Sequence, residues 1–275
     1  MIVTHKINWA DCLSSKIFDA IEKGWKQRWS NDKKIHFFWG LGSFNIAEIR
    51  DCVKKGEDYY ICDIGYIGAQ INRYPKPEIA HPEKTYFRIC KNLLHNDLSD
   101  VSTDETRFNK LLEQDVWYAN LINQYEEKPV SKDGHILLTP SSQGVCKYMY
   151  NISQDEWIGK SMFEIKRNTN KEILFRNKQR PGNKWYNTCI EDSFPNCSAL
   201  VTNMSLSAID AICHGIPVIT DKENICSSIG ETDYAKIDKL KPIKKDDLKT
   251  WGVKVANQQF TLGEMRKGVM NDYIN

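Results

Sequence analysis

The chain has 275 residues, of which 41% are hydrophobic and 27% charged, a composition typical of one large folded domain or two compact ones. Its 38 basic and 36 acidic residues leave a formal net charge of +2, which argues against a generally polycationic nucleic-acid-binding protein. The sequence shows no apolar run of 18 residues and no signal-peptide pattern, so it predicts neither a membrane span nor secretion.

Periodicity in the first half predicts alternating helices and strands. Apolar side chains at four-residue spacing indicate an amphipathic helix near the start. Short apolar runs that end at glycine or polar residues indicate buried strands. The predicted elements are a helix over 9–29, a strand over 35–42, a helix over 45–55, and strands over 58–63 and 85–90.

The second half shows the same alternation. Ser153 and Glu156 are spaced as a capping box at the start of one helix, and Gly215 is placed to end another. The predicted strands are 135–139, 172–176, 199–202 and 217–220, and the predicted helices are 153–168, 205–214, 244–252 and 260–272.

This alternation predicts an α/β fold with parallel sheets covered by helices. The polar segment 125–134 is the expected linker, because it holds Pro129 and Gly134. We therefore predict two Rossmann-like domains that face a cleft, over residues 1–128 and 129–275, with C-terminal helices packing back. In open α/β sheets ligands bind beyond the carboxyl ends of the strands, so the loops there are the candidate sites.

Cysteine usage indicates the cellular compartment, and local charge indicates where an anion would bind. Nine scattered cysteines with no Cys-x-x-Cys pair argue against a disulfide framework and indicate reduced, buried thiols, so we expect a cytoplasmic protein. Residues 95–130 carry a net charge of −5, and residues 160–184 a net charge of +6. Most such runs are solvated faces, but the basic one marks where an anion would bind.

The most informative segment is 199–219. A predicted buried strand leads into a loop of small hydroxyl residues, and Thr202, Ser205 and Ser207 lie where the next helix begins. Backbone N–H groups, the helix dipole and serine hydroxyls together favour a phosphate there. Asp210, one turn into the helix, is placed to bind ribose hydroxyls. A plain capping box formed by Ser207 and Asp210 has the same spacing and stays open as the alternative.

The order strand, Thr-x-x-Ser-x-Ser, helix and Gly-Ile-Pro-Val resembles the donor-binding half of GT-B glycosyltransferases, which use nucleotide sugars. The resemblance covers about residues 133–232. It implies that Ser205 and Ser207 hold the donor diphosphate and that Asp210, where the family usually has Glu, holds the ribose.

Two further elements carry the resemblance. A predicted strand ends in Arg-x-Lys, which implies that Arg176 and Lys178 neutralise the diphosphate as it leaves. The loop after the first strand of this half implies a donor contact from Ser142. The alternative for Arg176 and Lys178 is that they are two surface charges at a strand end. The alternative for Ser142 is that its loop is a plain turn.

The first half is then expected to bind the acceptor and to supply a general base. Asp63 ends a predicted buried strand before a glycine-bracketed loop, so it is the first candidate base, and His95 is the second. Tyr66, Arg88 and Asn92 are the predicted acceptor contacts. A turn-forming role is the alternative for Asp63.

Metal-binding motifs of the types H-E-x-x-H and D-x-D do not occur in the sequence. His36 lies inside an apolar strand and is interpreted as a core histidine. The resemblance to GT-B glycosyltransferases therefore implies a hexosyltransferase without a metal or cofactor, which takes a nucleotide sugar such as UDP-glucose as its co-substrate.

The acceptor has two candidate classes. The pattern at residues 58–66 is similar to small phage-type glycosyltransferases, some of which glycosylate hydroxymethylated pyrimidines in DNA. Basic and aromatic residues at 16–29, 73–76 and 160–184 fit phosphate contacts, and a modified base must leave the stack to be reached. We expect such DNA as the acceptor, in the host cytoplasm if the chain is phage-encoded, with a surface or capsular saccharide as the alternative.

Two hypotheses from other classes stay open. One is a non-catalytic module that binds a nucleotide sugar. The other is an epimerase that turns over the nucleotide sugar with no acceptor present.

Overall fold

The computed structural model describes residues 2–5, 13–25, 34–69, 71–72, 78–79, 81–178 and 182–273. The chain divides into two compact units. The first consists of Met1–Ile71, Ile79–Asn96 and Val255–Asn275, and the second of Asn72–Glu78 and Asp97–Lys254. The expected bounds, 1–128 and 129–275, differ from these because residues 97–128 pack with the second unit and the last 21 residues with the first.

The strands in chain order are β1 (Ile2–Thr4), β2 (Ile35–Trp39), β3 (Asp58–Ile64), β4 (Ile71–Asn72), β5 (Glu78–Ile79), β6 (Tyr86–Lys91), β7 (His135–Leu138), β8 (Ile173–Phe175), β9 (Cys197–Val201), β10 (Val218–Ile219) and β11 (Gln259–Thr261). The α-helices are α1 (Leu13–Trp25), α2 (Ser43–Lys55), α3 (Thr106–Glu113), α4 (Trp117–Asn123), α5 (Gln143–Tyr150), α6 (Gln154–Asn168), α7 (Ser207–Cys213), α8 (Lys245–Ala256) and α9 (Leu262–Arg266). Short 3-10 helices cover Ile190–Ser193, Tyr234–Lys239 and Val269–Asp272. None of the described helices has the length and apolar character that a membrane crossing needs.

The sheet of the first unit is mixed, with the order β1-β2-β3-β6-β11. β1, β2 and β3 pair in parallel, whereas β6 runs antiparallel to both β3 and β11. The all-parallel expectation is therefore wrong for this sheet. In its described residues the connection from β3 to β6 forms the short pair β4 and β5 and no crossover helix, which is the element that usually joins parallel strands.

The C-terminal segment completes the first unit. In place of the helix predicted over 260–272, the chain forms β11, α9 and a 3-10 helix. Thr261 marks the change, because its side chain accepts the N–H of Glu264 while the Glu264 carboxylate accepts the N–H of Thr261, a complete capping box. Apolar side chains of this segment join the core formed by α1 and the sheet: Phe260, Leu262, Met265 and Met270.

The sheet of the second unit is parallel throughout, with the order β10-β9-β7-β8. All five residues of β9 are buried, as expected for a strand covered on both faces. Parallel pairing places the carboxyl ends of the four strands at one edge, which we call the carboxyl edge. These elements confirm an α/β fold. They also place the loops of residues 199–219, which we call the motif segment, at the carboxyl edge.

Gly24 lets α1 approach the C-terminal segment. A Cβ there would come within 2.7 Å of the Gly268 nitrogen and closer still to the Met265 carbonyl oxygen. We expect Gly24→Ala to lower the free energy of unfolding by about 1–3 kcal/mol, because backbone atoms would have to shift. Chemical denaturation followed by circular dichroism measures this loss.

The matched control is Gly159→Ala on α6, where an added Cβ meets no heavy atom within 4 Å. It should raise the stability by about 1 kcal/mol, the usual gain of alanine over glycine in a helix. Equal stabilities of the Gly24→Ala variant and the wild type would contradict this packing.

Candidate functional site

Three hydroxyl side chains meet at the carboxyl edge of the second unit. Thr139 follows β7 and is buried, whereas Ser205 and Ser207 lie after β9, where α7 begins. The Thr139 and Ser207 hydroxyl oxygens are 2.8 Å apart, and Ser207 donates to the Ser205 oxygen at 3.0 Å. We call these three residues the hydroxyl cluster. Parallel pairing of β7 with β9 brings them together, since both loops leave the same edge.

Buried amides hold the backbone beneath the hydroxyl cluster. The Asn203 side-chain oxygen accepts the N–H of Ser141 at 2.9 Å, and the Asn224 side chain donates to the Asn203 carbonyl at 2.7 Å. The N–H of Met204 donates to the Ser141 hydroxyl at 3.2 Å. These bonds tie the loops after β7 and β9 to each other. Sequence reasoning missed Asn203 and Asn224, although Asn203 lies inside the motif segment.

Two of the predicted donor contacts are used inside the unit. Thr202 is 1% exposed, and its hydroxyl donates to the Thr139 carbonyl. Ser142 caps α5 by accepting the N–H of Val145 at 3.4 Å. Both hydroxyls therefore shape the loops around the hydroxyl cluster.

Asp210 lies within α7 and is half-buried. The Tyr118 hydroxyl of α4 donates to its carboxylate at 2.5 Å, which fixes the direction of that side chain. The alternative capping box of Ser207 and Asp210 is not formed, because the helix begins after Leu206 without a side-chain cap.

Arg176 and Lys178 follow β8 at the carboxyl edge but differ in exposure. Arg176 is 4% exposed, and one guanidinium nitrogen donates to the Thr188 carbonyl and hydroxyl at 2.9 Å each. Its guanidinium also lies over the Trp185 ring, 5.0 Å from the centroid. Arg176 thus anchors the loop after β8, and Lys178 is the exposed cation of the pair.

Asp221 is a carboxylate that sequence reasoning missed. It lies two residues beyond β10 at the carboxyl edge, and the Tyr150 hydroxyl donates to it. Burial, with a smaller contribution from Glu223, raises the pKa of Asp221 to about 6. The group can therefore titrate close to neutral pH. Asp63 was selected because it ends a predicted buried strand, and Asp221, which directly follows the predicted strand 217–220, has a comparable position in the sequence.

Asp63 ends the buried part of β3 and is 32% exposed. One carboxylate oxygen accepts from the Arg88 guanidinium at 2.9 Å, and the other accepts the N–H of Ile64 at 2.8 Å. Arg88 also donates to the Ile64 carbonyl at 2.8 Å. The structure thus brings the predicted base and one predicted acceptor contact together, with Arg88 buried and Asp63 at the surface.

Tyr66 and His95 are each 2% exposed. The Tyr66 hydroxyl donates to the Asn96 side chain at 2.7 Å, and the two rings meet edge to face. Burial, with the nearby charge of Arg88, holds the pKa of His95 well below its ordinary value. Both side chains lie inside the unit, so their placement gives no support to direct contact with an acceptor.

Asn92 lies at the opposite end of β3 from Asp63. Its side-chain oxygen accepts the N–H of Tyr59 at 3.0 Å, close to the start of that strand. The antiparallel direction of β6 explains this position, because residues after β6 return to the amino end of β3. This position gives no support to the prediction that Asn92 contacts an acceptor beside Asp63.

The loop after Asp63 is buried rather than open. Its glycines allow close packing, since a Cβ at Gly65 would lie 2.6 Å from the Tyr86 carbonyl oxygen. The N–H groups of Ile67 and Gly68 both donate to the Gln259 side chain at 3.2 Å.

Local partners surround much of the basic stretch 160–184. Besides Arg176, four of its cations have a contact within the second unit. These are Lys160 with Glu156 at 2.8 Å, Arg167 with Glu164 at 3.6 Å, Lys171 with Asp238 at 2.5 Å, and Lys184 over the Trp185 ring at 4.4 Å.

The other basic and aromatic residues offered for DNA contacts divide into three groups. Lys16 and Lys23 are exposed on α1. Trp25 is 3% exposed and packs against Phe37 in the core, so its ring is not available for a DNA contact. Several others lie outside the described residues: Lys26, Arg28, Trp29, Arg73, Tyr74, Lys76 and Arg180.

Comparisons with known proteins do not establish a function for the chain. No family model matches the chain, and no curated protein matches it. The chain is similar to the solved structure of Thermosulfurimonas dismutans KpsC, beta Kdo 2,7 transferase, with a TM-score of 0.49 and 15% identity over 98% of each chain. With a TM-score below 0.5, this likeness assigns neither a family nor an activity to the chain.

The raised pKa of Asp221 predicts a pH-dependent cost of folding. Between its ordinary value of 3.8 and about 6, the folded protein holds more protons than the unfolded chain. Stability therefore falls as the pH rises through this window. We expect Asp221→Asn to gain thermal stability over the wild type as the pH rises from about 4 to 7, measured by unfolding midpoints.

Asp238→Asn is a control of opposite sign. Hydrogen bonds from Lys171 and Thr169 lower the pKa of Asp238, so its carboxylate stabilises the fold above its ordinary pKa and loses that contribution as the pH falls. This variant should lose stability at neutral pH. If Asp221→Asn lowers the unfolding midpoint by the same amount at every pH, the pKa of Asp221 is not raised by burial.

Proposed function

We propose that the protein is a glycosyltransferase that moves a sugar from a nucleotide-sugar donor to a hydroxyl acceptor. The observation that carries this proposal is the hydroxyl cluster at the carboxyl edge of a parallel four-stranded sheet. Sheets of this kind bind ligands beyond their carboxyl ends. We assign donor binding to the second unit, and acceptor binding and the base to the first.

Neutral hydroxyls suit a diphosphate that must leave after transfer. Ser205, Ser207 and Thr139 now share hydrogen bonds with one another. Turned to phosphate oxygens, they would make stronger charge-assisted bonds. The exposed ammonium of Lys178 would add positive charge at the same edge, while Arg176 keeps its loop in place.

Asp210 is proposed to accept hydrogen bonds from the ribose hydroxyls. Its contact with Tyr118 orients the carboxylate, which limits the entropy lost when a ligand binds. Asp is shorter than Glu by one methylene, so the nucleoside would have to sit close to α7.

Transfer needs one group to take the acceptor proton while a new bond forms at the anomeric carbon and the bond to the diphosphate breaks. Asp63 is the proposed base, since its carboxylate lies at the end of β3 and is partly exposed. Arg88 holds that carboxylate in one direction from the buried side. Diphosphate departure is the step that positive charge and hydroxyl donors assist.

A saccharide hydroxyl is the acceptor that the described residues favour. Three cations of the basic stretch 160–184 pair with nearby acids, which lowers the net positive charge that this face offers to a phosphate backbone. Hydroxymethylated DNA stays the second candidate acceptor.

Donor binding tests the hydroxyl cluster. We expect Ser207→Ala to weaken binding of UDP, or of ADP, GDP or CMP if one of these binds better, by about 10-fold or more. A hydrogen bond to a charged group is worth about 1.5–3 kcal/mol, which supports this magnitude. Isothermal titration calorimetry measures the dissociation constants.

Ser198→Ala is the matched control, because this buried hydroxyl lies on β9 at the other end and donates to the Ser131 carbonyl. Its nucleotide affinity should equal that of the wild type. If Ser207→Ala also binds with unchanged affinity, the donor site is wrongly placed.

Turnover tests the base. We expect Asp63→Asn to lower transfer by at least about 100-fold with unchanged nucleotide affinity, the usual contribution of a general base. The control is Asp58→Asn at the amino end of the same strand, which should keep its activity. Release of nucleotide is measured with a panel of nucleotide sugars, given with oligosaccharides or with hydroxymethylated DNA.

Each alternative has its own result in that panel. Release that depends on DNA would move the acceptor to nucleic acid, and isomerisation of the sugar without acceptor would indicate an epimerase. Nucleotide binding without release under every condition would indicate a non-catalytic module and overturn the proposal.

A further inference from the structure

Four polar side chains converge in the first unit, away from Asp63. The His36 Nε2 atom lies 3.0 Å from a Glu57 carboxylate oxygen, and its Nδ1 atom lies 3.0 Å from His5 Nε2. The thiol of Cys52 joins them, so that one ligand atom from each of His36, Cys52 and Glu57 lies within 4.8 Å of the others. His36 and Cys52 are buried, and Glu57 is partly exposed.

The backbone explains how these residues meet. α2 ends at Gly56, whose left-handed φ of +64° turns the chain. The N–H of Glu57 donates to the Cys52 carbonyl at 3.0 Å and that of Gly56 to the Val53 carbonyl at 3.3 Å, the pattern of a Schellman motif. This motif brings the side chains of Cys52 and Glu57 together, where most proteins have an apolar pair.

His36 approaches the same place from the sheet. It is the second residue of β2, and it pairs in register with Tyr59 of β3. Because side chains alternate along a strand, His36 points away from the core that Ile35 and Phe37 form with α1. It therefore faces the side on which α2 crosses from β2 to β3.

We propose that His36, Cys52 and Glu57 bind a zinc ion. Imidazole, thiolate and carboxylate are the three ligand types that zinc takes in proteins, and the thiolate disfavours magnesium and calcium. Three protein ligands leave one tetrahedral position for a water molecule or a further ligand.

The spacing fits with small side-chain movements. Zinc bonds of about 2.0–2.3 Å place tetrahedral ligand atoms roughly 3.3–3.8 Å apart. The His36–Glu57 distance of 3.0 Å is close to that range, and the limit of 4.8 Å requires a shift of about 1 Å by the thiol. The partly exposed carboxylate of Glu57 gives the ion a way in.

His5 has the place of an orienting partner. In the metal-free protein the contact with Glu57 requires a proton on His36 Nε2, since a carboxylate oxygen only accepts. When a metal is bound, His36 would donate from Nδ1 to His5 and leave its Nε2 lone pair for the ion. Such a partner fixes the tautomer and ring orientation of a metal-bound histidine. The His5 ring is itself stacked on Phe38, with centroids 4.0 Å apart.

The ion would have a structural role. Glu57 precedes β3 and Asp63 lies six residues further along it, roughly 20 Å away at about 3.3 Å per residue. The site would tie the end of α2 to β2. It is therefore independent of the proposed transfer chemistry.

Metal titration of the full-length protein tests the site. After chelation, we expect the wild-type chain to bind one Co²⁺, with the visible absorption of four-coordinate cobalt and a near-ultraviolet thiolate-to-cobalt band, and to release it when Zn²⁺ is added. Cys52→Ser should abolish the thiolate band. His5→Phe, which keeps the ring stack, should weaken Zn²⁺ binding by about 10–100-fold, as loss of an orienting partner does.

Two variants keep the test decisive. Glu57→Gln keeps side-chain size at a partly exposed position, so it serves if Cys52→Ser does not fold, and it should also weaken binding. Cys197→Ser removes a buried thiol of the second unit and should bind as the wild type does. No stoichiometric metal in the wild type, or metal binding by both Glu57→Gln and Cys52→Ser that equals that of the wild type, would overturn the proposal.

Discussion

Parallel pairing of β7, β8, β9 and β10 is the constraint on which the second unit depends. A parallel sheet covered on both faces must be apolar along its strands, so polar side chains can gather only where the strands end. All four strands end at one edge, and that edge receives the hydroxyl cluster, the Arg176 anchor and Asp221. The chemistry of this unit is thus concentrated by topology, while the individual residues decide which ligand it suits.

The first unit follows a different rule because β6 runs antiparallel. Reversal of one strand separates residues that a parallel arrangement would have gathered, as Asp63 and Asn92 show. What remains at the end of β3 is an ion pair between a buried cation and a partly exposed carboxylate. The hydrogen bonds of Arg88 orient the Asp63 carboxylate and the carbonyl group of Ile64.

Much of the fold could be predicted from the sequence, because long apolar runs and helical spacing are local signals. The strands at 58–63, 135–139 and 199–202, and the helix at 153–168, lie within a few residues of their predicted places. The direction of a strand within its sheet has no local signature in the sequence. The antiparallel direction of β6 could therefore not be predicted. β11 was missed because three residues are too few to show a period.

The same division holds for the candidate sites. The hydroxyl cluster follows from a loop pattern beside a buried strand and was anticipated through Ser205 and Ser207. The grouping of His36 with Cys52 and Glu57 was not, since it joins a strand to the end of the next helix. The end of that helix at residue 55 was correctly predicted, but the side chains that the turn at Gly56 brings together depend on tertiary packing.

The return of Val255–Asn275 to the first unit has a consequence for synthesis. Chains emerge from the ribosome amino terminus first, and domains generally fold as they appear. Here β1, β2, β3 and β6 emerge early, yet β11 and α9, which complete their sheet and core, are made only after the second unit. The nascent first unit must therefore wait, with an open sheet edge and an uncovered α1, while the whole second unit is translated.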